Sequence, residues 1–189
     1  WGPQAMQMTH GRELGEDEMS EKNSCVLNVW TTDKKASKPV MVWLHGGGFA
    51  KGNGIEQDGY NGENIVRRRD IVFCSVNHRL NAFGFSDFSS VGDERYQHSA
   101  NVGMLDIVAA LEWVKNNIEN FGGDPSNVTI MGQSGGASKV CMLCAMPAAE
   151  GLFHKAVALS GDATRANSSE YSQQLGEAIL KEAGLKPEQ

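Results

Sequence analysis

Short apolar runs alternate with helical periods along this chain. The runs cover residues 25–30, 40–44, 71–76, 128–131 and 155–159. Turn formers bound them: Pro39 precedes the second, Gly132 follows the fourth and Ser160-Gly161 follows the fifth. Near-continuous Val, Ile, Leu and Met suit strands buried on both faces, as in a largely parallel sheet. Between the runs, Met104, Ile107, Val108, Leu111, Val114 and Ile118 recur three or four residues apart. That spacing predicts a helix over 101–120 with one apolar face. Gly122 follows as its C-terminal cap, and Pro125 bars continuation. A second helix is expected from Ser134, or just after it, towards Pro147, and a third over 169–183. Strand–helix alternation gives an α/β layered fold. No repeat, low-complexity tract or linker interrupts it, so 1–189 reads as a single domain.

Composition narrows the class. A chain of 189 residues is long enough for one domain with a sizeable core. Hydrophobic residues at 40 % and charged residues at 21 % fit a folded chain rather than a disordered one. The formal charge is −6, with no concentrated basic surface, so nucleic acid is not an expected partner. The densest basic group, Arg67 to Arg69, reads as a solvated helix end. Glu13, Glu16, Asp17, Glu18 and Glu21 read as a solvated surface loop. No apolar run approaches the ~20 residues that span a bilayer. Residues 1–10 lack the basic start and apolar core of a signal peptide. Cys25, Cys74, Cys141 and Cys144 form no metal frame. Cys141 and Cys144 lie in an apolar helical stretch and are expected to be buried structural thiols.

Two glycine-rich stretches carry candidate chemistry. Gly132-Gln133-Ser134-Gly135-Gly136 fits G-x-S-x-G. An apolar strand enters it and a helix-compatible segment, 137–145, leaves it. A strand-to-helix turn this sharp strains the central residue and exposes its hydroxyl above the carboxyl end of the sheet. The helix that starts there aims N–H groups at developing negative charge. Ser134 is therefore the candidate nucleophile. His45-Gly46-Gly47-Gly48-Phe49 directly follows the strand at 40–44. Consecutive glycines let backbone N–H groups approach a reacting carbonyl, the H-G-G-G device of lipases and esterases. Phosphate-binding readings fail. Gly48-Phe49-Ala50-Lys51 lacks the glycine before the lysine of a P-loop, and no G-x-G-x-x-G starts at Gly46 or Gly52. Asn127-Val128-Thr129 matches a glycosylation sequon but sits inside an expected strand.

Together these stretches resemble the type-B carboxylesterase family, which also contains the cholinesterases. Residues 23–30 resemble its S-E-D-C-L-x-L-N-V-W block, and 40–49 its P-V-x-V-W-I-H-G-G-G-F block. Residues 77–85 resemble its N-Y-R-L…G-F block, and 101–125 the block ending F-G-G-D-P. The likeness runs over roughly 1–161. It implies an α/β-hydrolase fold, with a largely parallel central sheet flanked by helices and incomplete in this chain. It implies Ser134 as nucleophile and the backbone N–H groups of Gly47, Gly48 and Gly135 as oxyanion donors. His45, Gly46, Gly132, Gln133 and Gly136 support them, His45 by bracing the glycine loop. The family usually has Glu before the serine and Ala after it; here Gln133 and Gly135 stand there. The upstream cysteine that some members pair with the residue matching Cys25 is absent.

The expected partner is a small carboxylic ester, and no metal or organic cofactor is implied. In this fold the triad runs Ser, then Asp or Glu, then His along the chain. The only histidine after Ser134 is His154, which the resemblance places on an ordinary helical surface. The chain is therefore expected to be the nucleophile half of a longer esterase, inactive alone, with the C-terminal half a possible partner. A cut sheet should expose strand edges and apolar faces. Two rival readings stand: a non-catalytic cholinesterase-like interaction protein and an inactive truncated fragment.

Overall fold

The computed structural model describes residues 1–9 and 11–186. Five strands form one sheet: β1 (Leu27–Trp30), β2 (Lys38–Leu44), β3 (Val72–Val76), β4 (Gly123–Gln133) and β5 (Lys155–Leu159). Their order across the sheet is β1-β3-β2-β4-β5. All neighbours run parallel except β1, which pairs antiparallel with β3. Among the described residues five α-helices accompany them: α1 (Glu63–Arg68), α2 (Asn81–Phe85), α3 (Val102–Asn117), α4 (Gly135–Ala145) and α5 (Ser169–Glu182).

The expected elements fall close to their places. Every residue of β3 is buried, as a two-sided interior strand requires. The α3 stripe meets the sheet as its spacing dictates, with Ile107, Leu111 and Val114 fully buried beside Val42, Leu44, Val72 and Ile130. Gly122 caps the 3-10 turn that extends α3; its φ of 76° and its N–H bond to Glu119 O are those of a left-handed cap. Arg67 and Arg68 are exposed in the last turn of α1.

Three expectations need correction. β4 begins five residues before the apolar run, because Lys38 pairs with Gly123 and the next pair is Val40 with Val128. Pro125, which lacks an N–H, lies within that irregular stretch, where a strand tolerates it. β5 is exposed along its whole length despite its apolar sequence. It pairs only with β4, and a strand at the sheet margin has one open side. On α4, Cys141 is half-buried and Cys144 is exposed, so neither is a fully buried thiol. The inward face of that helix runs through Gly136, Lys139, Val140 and Leu143 instead.

Candidate functional site

β2 and β4 lie side by side and end together, with Leu44 paired to Gly132. The chain leaves both strands at the carboxyl edge of the sheet, where α/β folds build their sites. Residues 45–48 leave β2 there, and Ser134 leaves β4.

Ser134 stands at φ 57° and ψ −123°. Such geometry costs a non-glycine residue about 1–3 kcal/mol and persists only when its surroundings enforce it. Here both sides do. The Ser134 N–H donates to Leu159 O at 2.9 Å, and its carbonyl accepts from Ser138 N–H at 3.1 Å in the first turn of α4. The side chain is exposed, as is that of Gln133.

The glycine loop folds against this elbow. A Cβ on Gly46 would stand 3.5 Å from Ser134 Cβ, and one on Gly135 would stand 2.8 Å from Gly48 N. Gly47, Gly48 and Phe49 all have positive φ, at 93°, 62° and 65°. Two glycines make such a run sterically feasible. Gly47 O accepts from Ala50 and Lys51, while no hydrogen bond among the described residues takes the Gly47 or Gly48 N–H. Unused donors thus lie beside an exposed hydroxyl.

Behind the loop sits a buried polar layer. Val76 pairs with Leu44, so the chain past each strand brings His45 and His78 together. Their rings stack at 5.0 Å with planes 11° apart, and both are fully buried. His45 Nδ1 donates to Gly46 O and His78 Nδ1 to Arg79 O, each at 2.8 Å. His45 thus contacts the glycine loop directly. Lys139, also fully buried, donates from Nζ to His45 O at 3.0 Å. Burial, reinforced by the nearby Lys139 charge, lowers His45 to about 3. The same causes, with His45 added, hold His78 well below its ordinary value. Burial brings Lys139 itself down to about 7, against a pull upward from Glu56.

These shifts set a pH dependence. The unfolded chain protonates both histidines near 6.5, whereas the folded chain resists until about 3 at His45. Unfolding therefore takes up protons in that window, and stability falls as pH falls through it. Two such groups give a slope approaching roughly 2–3 kcal/mol per pH unit near pH 5. Urea unfolding followed from pH 8 to 4 is expected to show it; a flat profile between 6.5 and 5 contradicts the buried, neutral pair. Lys139 acts with the same sign at higher pH, adding stability as pH rises from about 7 towards 10.5.

The other histidines lie elsewhere. His154 precedes β5, and its Nδ1 accepts from Val128 N–H at 3.1 Å. The register Thr129↔Lys155 and Gln133↔Leu159 puts it at the opposite end of the strands from Ser134, about 20 Å away at ~3.3 Å per residue. His98 is exposed and makes no bond to Ser134. His10 lies outside the described residues. Among the described residues no group of three or more His, Cys, Asp or Glu is arranged to hold a metal ion.

The residues of this candidate site were legible in sequence as candidates, except Lys139 and the His45–His78 stack. The signal for Lys139 was a lysine on the apolar face of the helix after the serine. The stack has no local signal, because it depends on which strands pair.

Comparison with known proteins decides the family. The sequence profile of the carboxylesterase family matches residues 1–189. The chain belongs to that family. It is 42 % identical over 160 residues to the para-nitrobenzyl esterase of Bacillus subtilis, covering 84 % of this chain and 32 % of that protein. It is 42 % identical over 156 residues to the liver carboxylesterase of Sus scrofa, covering 81 % of this chain and 26 % of that one. Among solved structures, the Geobacillus stearothermophilus carboxylesterase superposes with a TM-score of 0.89 at 39 % identity, over 99 % of this chain and 38 % of its own. An esterase from Clostridium hathewayi, which can hydrolyse aliphatic aromatic polyesters, superposes at 0.84 with 45 % identity, over 99 % of this chain and 39 % of its own. The chain therefore spans well under half the length of these relatives. Its mostly parallel sheet and flanking helices are part of the α/β-hydrolase fold. No described helix is long and apolar enough to cross a membrane.

Proposed function

We propose that this chain supplies the nucleophile and oxyanion hole of a serine carboxylesterase acting on small carboxylic esters. The observation that carries the reading is Ser134, strained and exposed between β4 and α4, with the unused N–H groups of Gly47 and Gly48 beside it. Ser134 Oγ attacks the ester carbonyl carbon while a general base takes its proton. The carbonyl oxygen becomes an oxyanion held by the N–H groups of Gly47, Gly48 and Gly135. The alkoxide leaves with the base's proton, and an acyl-serine remains. Water, deprotonated by the same base, releases the carboxylic acid and restores Ser134.

Among the described residues no histidine is bonded to Ser134, and the base is read as coming from outside this chain. His45 and His78 are buried, neutral and already bonded to carbonyls. His154 lies at the wrong end of the sheet. The matched part covers 32 % of one relative and 26 % of another, which leaves room for a histidine and its orienting carboxylate. Without them Ser134 is a weak nucleophile, so the 189-residue chain alone is expected to turn over esters far more slowly than the whole enzyme.

A fluorophosphonate tests the assignment. Incubation of the full-length enzyme, followed by peptide mass analysis, should place one adduct on the peptide carrying Ser134. An adduct on another serine, or none on folded protein, contradicts it.

A further inference from the structure

Lys139 is buried without a carboxylate partner among the described residues. It lies one turn into α4 beyond Ser134 and is fully inaccessible. No acidic oxygen among the described residues stands within ion-pair distance of its Nζ. Glu56 acts on it only at longer range, and the other groups it faces, His45 and His78, are neutral. A buried ammonium is costly unless its surroundings compensate.

Its two contacts both fall on the glycine loop. Nζ donates to His45 O at 3.0 Å, at the residue before the three glycines. Nζ also lies 5.1 Å from the centroid of the Phe49 ring, at the residue after them, within cation–π range. Gly136 makes the approach feasible, because a Cβ there would stand 3.0 Å from His45 O. Between the two gripped residues, the backbone runs through consecutive left-handed positions. A segment so unusual needs fixed ends to hold one conformation.

We propose that Lys139 is the positioning residue of the oxyanion loop, gripping His45 and Phe49 so that the Gly47 and Gly48 N–H groups stay aimed at the position beside Ser134. This rests on the serine esterase reading above. The ammonium never touches substrate; it acts through the loop.

The test is Lys139→Met in the full-length enzyme, which keeps length and apolar contact but removes donor and charge. Lys139→Gln is the second variant. With a short-chain p-nitrophenyl ester, kcat/KM is expected to fall about 10–100-fold with KM within about twofold, the size and form of a damaged oxyanion hole. The inhibition constant of a trifluoromethyl ketone, whose adduct with Ser134 carries the same oxyanion, should rise by the same factor. A residue that only packs would lower Tm and leave both constants alone, and that result overturns the proposal. If the Met variant does not fold, the Gln variant decides by the same two readouts. Turnover that survives Ser134→Ala overturns the serine reading and this proposal together. Serine-dependent turnover with unchanged ketone inhibition overturns this proposal alone.

Discussion

Ser134→Ala is expected to lower kcat of the full-length enzyme on a short-chain p-nitrophenyl ester by about 10⁴–10⁶-fold, with KM little changed. The substitution removes the attacking oxygen and no binding group. It leaves in place the loop donors at Gly47 and Gly48, which no hydrogen bond among the described residues occupies. Those donors still stabilise attack by water, so a residue of roughly 10³–10⁴ over the uncatalysed rate should remain. The fold should tolerate the change, since both hydrogen bonds that hold the elbow, to Leu159 and from Ser138, belong to the backbone of residue 134. A positive φ of 57° strains alanine much as it strains serine. Steady-state kinetics beside circular dichroism make the measurement. A folded variant with more than a tenth of native kcat would mean that another group attacks the ester.

The second large effect is structural. Gly136→Ala is expected to destabilise the folded protein by roughly 3 kcal/mol or more, at the upper end of what overpacking costs. Helix propensity alone points the other way, because alanine is the better helix former by ~1 kcal/mol. Sterics win at this position. The new Cβ would stand 2.0 Å from Leu44 O and 3.0 Å from His45 O, both backbone atoms. Neither can retreat without parting β2 from its register with β4, where Leu44 pairs with Gly132. Gly132 is equally tight, with a Cβ there 2.4 Å from the carbonyl carbon of Gly136. Gly15→Ala is the control: nothing lies within 4 Å of a Cβ at that site, and its change should stay within about 0.5 kcal/mol. Urea midpoints of the two variants measure the difference. Equal midpoints would mean that α4 does not approach β2 as closely as the fold requires.

Both predictions depend on one junction, where β2, β4 and α4 meet. In the proposed mechanism the serine supplies the chemistry, and the glycines let backbone pack on backbone closely enough to aim it. Lys139 joins these parts, reaching from the helix that follows the serine to both ends of the loop opposite.

Much of this was determined by the sequence itself. Strand positions followed from short apolar runs, and α3 from a three-to-four residue spacing, because burial of one face imposes the period of the element. Ser134 and the loop at 45–48 were legible because a tight turn and a close backbone approach each demand small residues at fixed offsets. What only the tertiary structure decided is pairing and rotation. The antiparallel placement of β1, the His45–His78 stack and the extension of β4 through Pro125 depend on which strand lies beside which. Such contacts join residues far apart in the chain and leave no periodic mark on it. The same holds for α4, where the lysine faces inward and Cys144 outward. The Ser134 elbow sets the rotation of that helix before its side chains choose a face, so residue type misjudged Cys144 and left Lys139 unread.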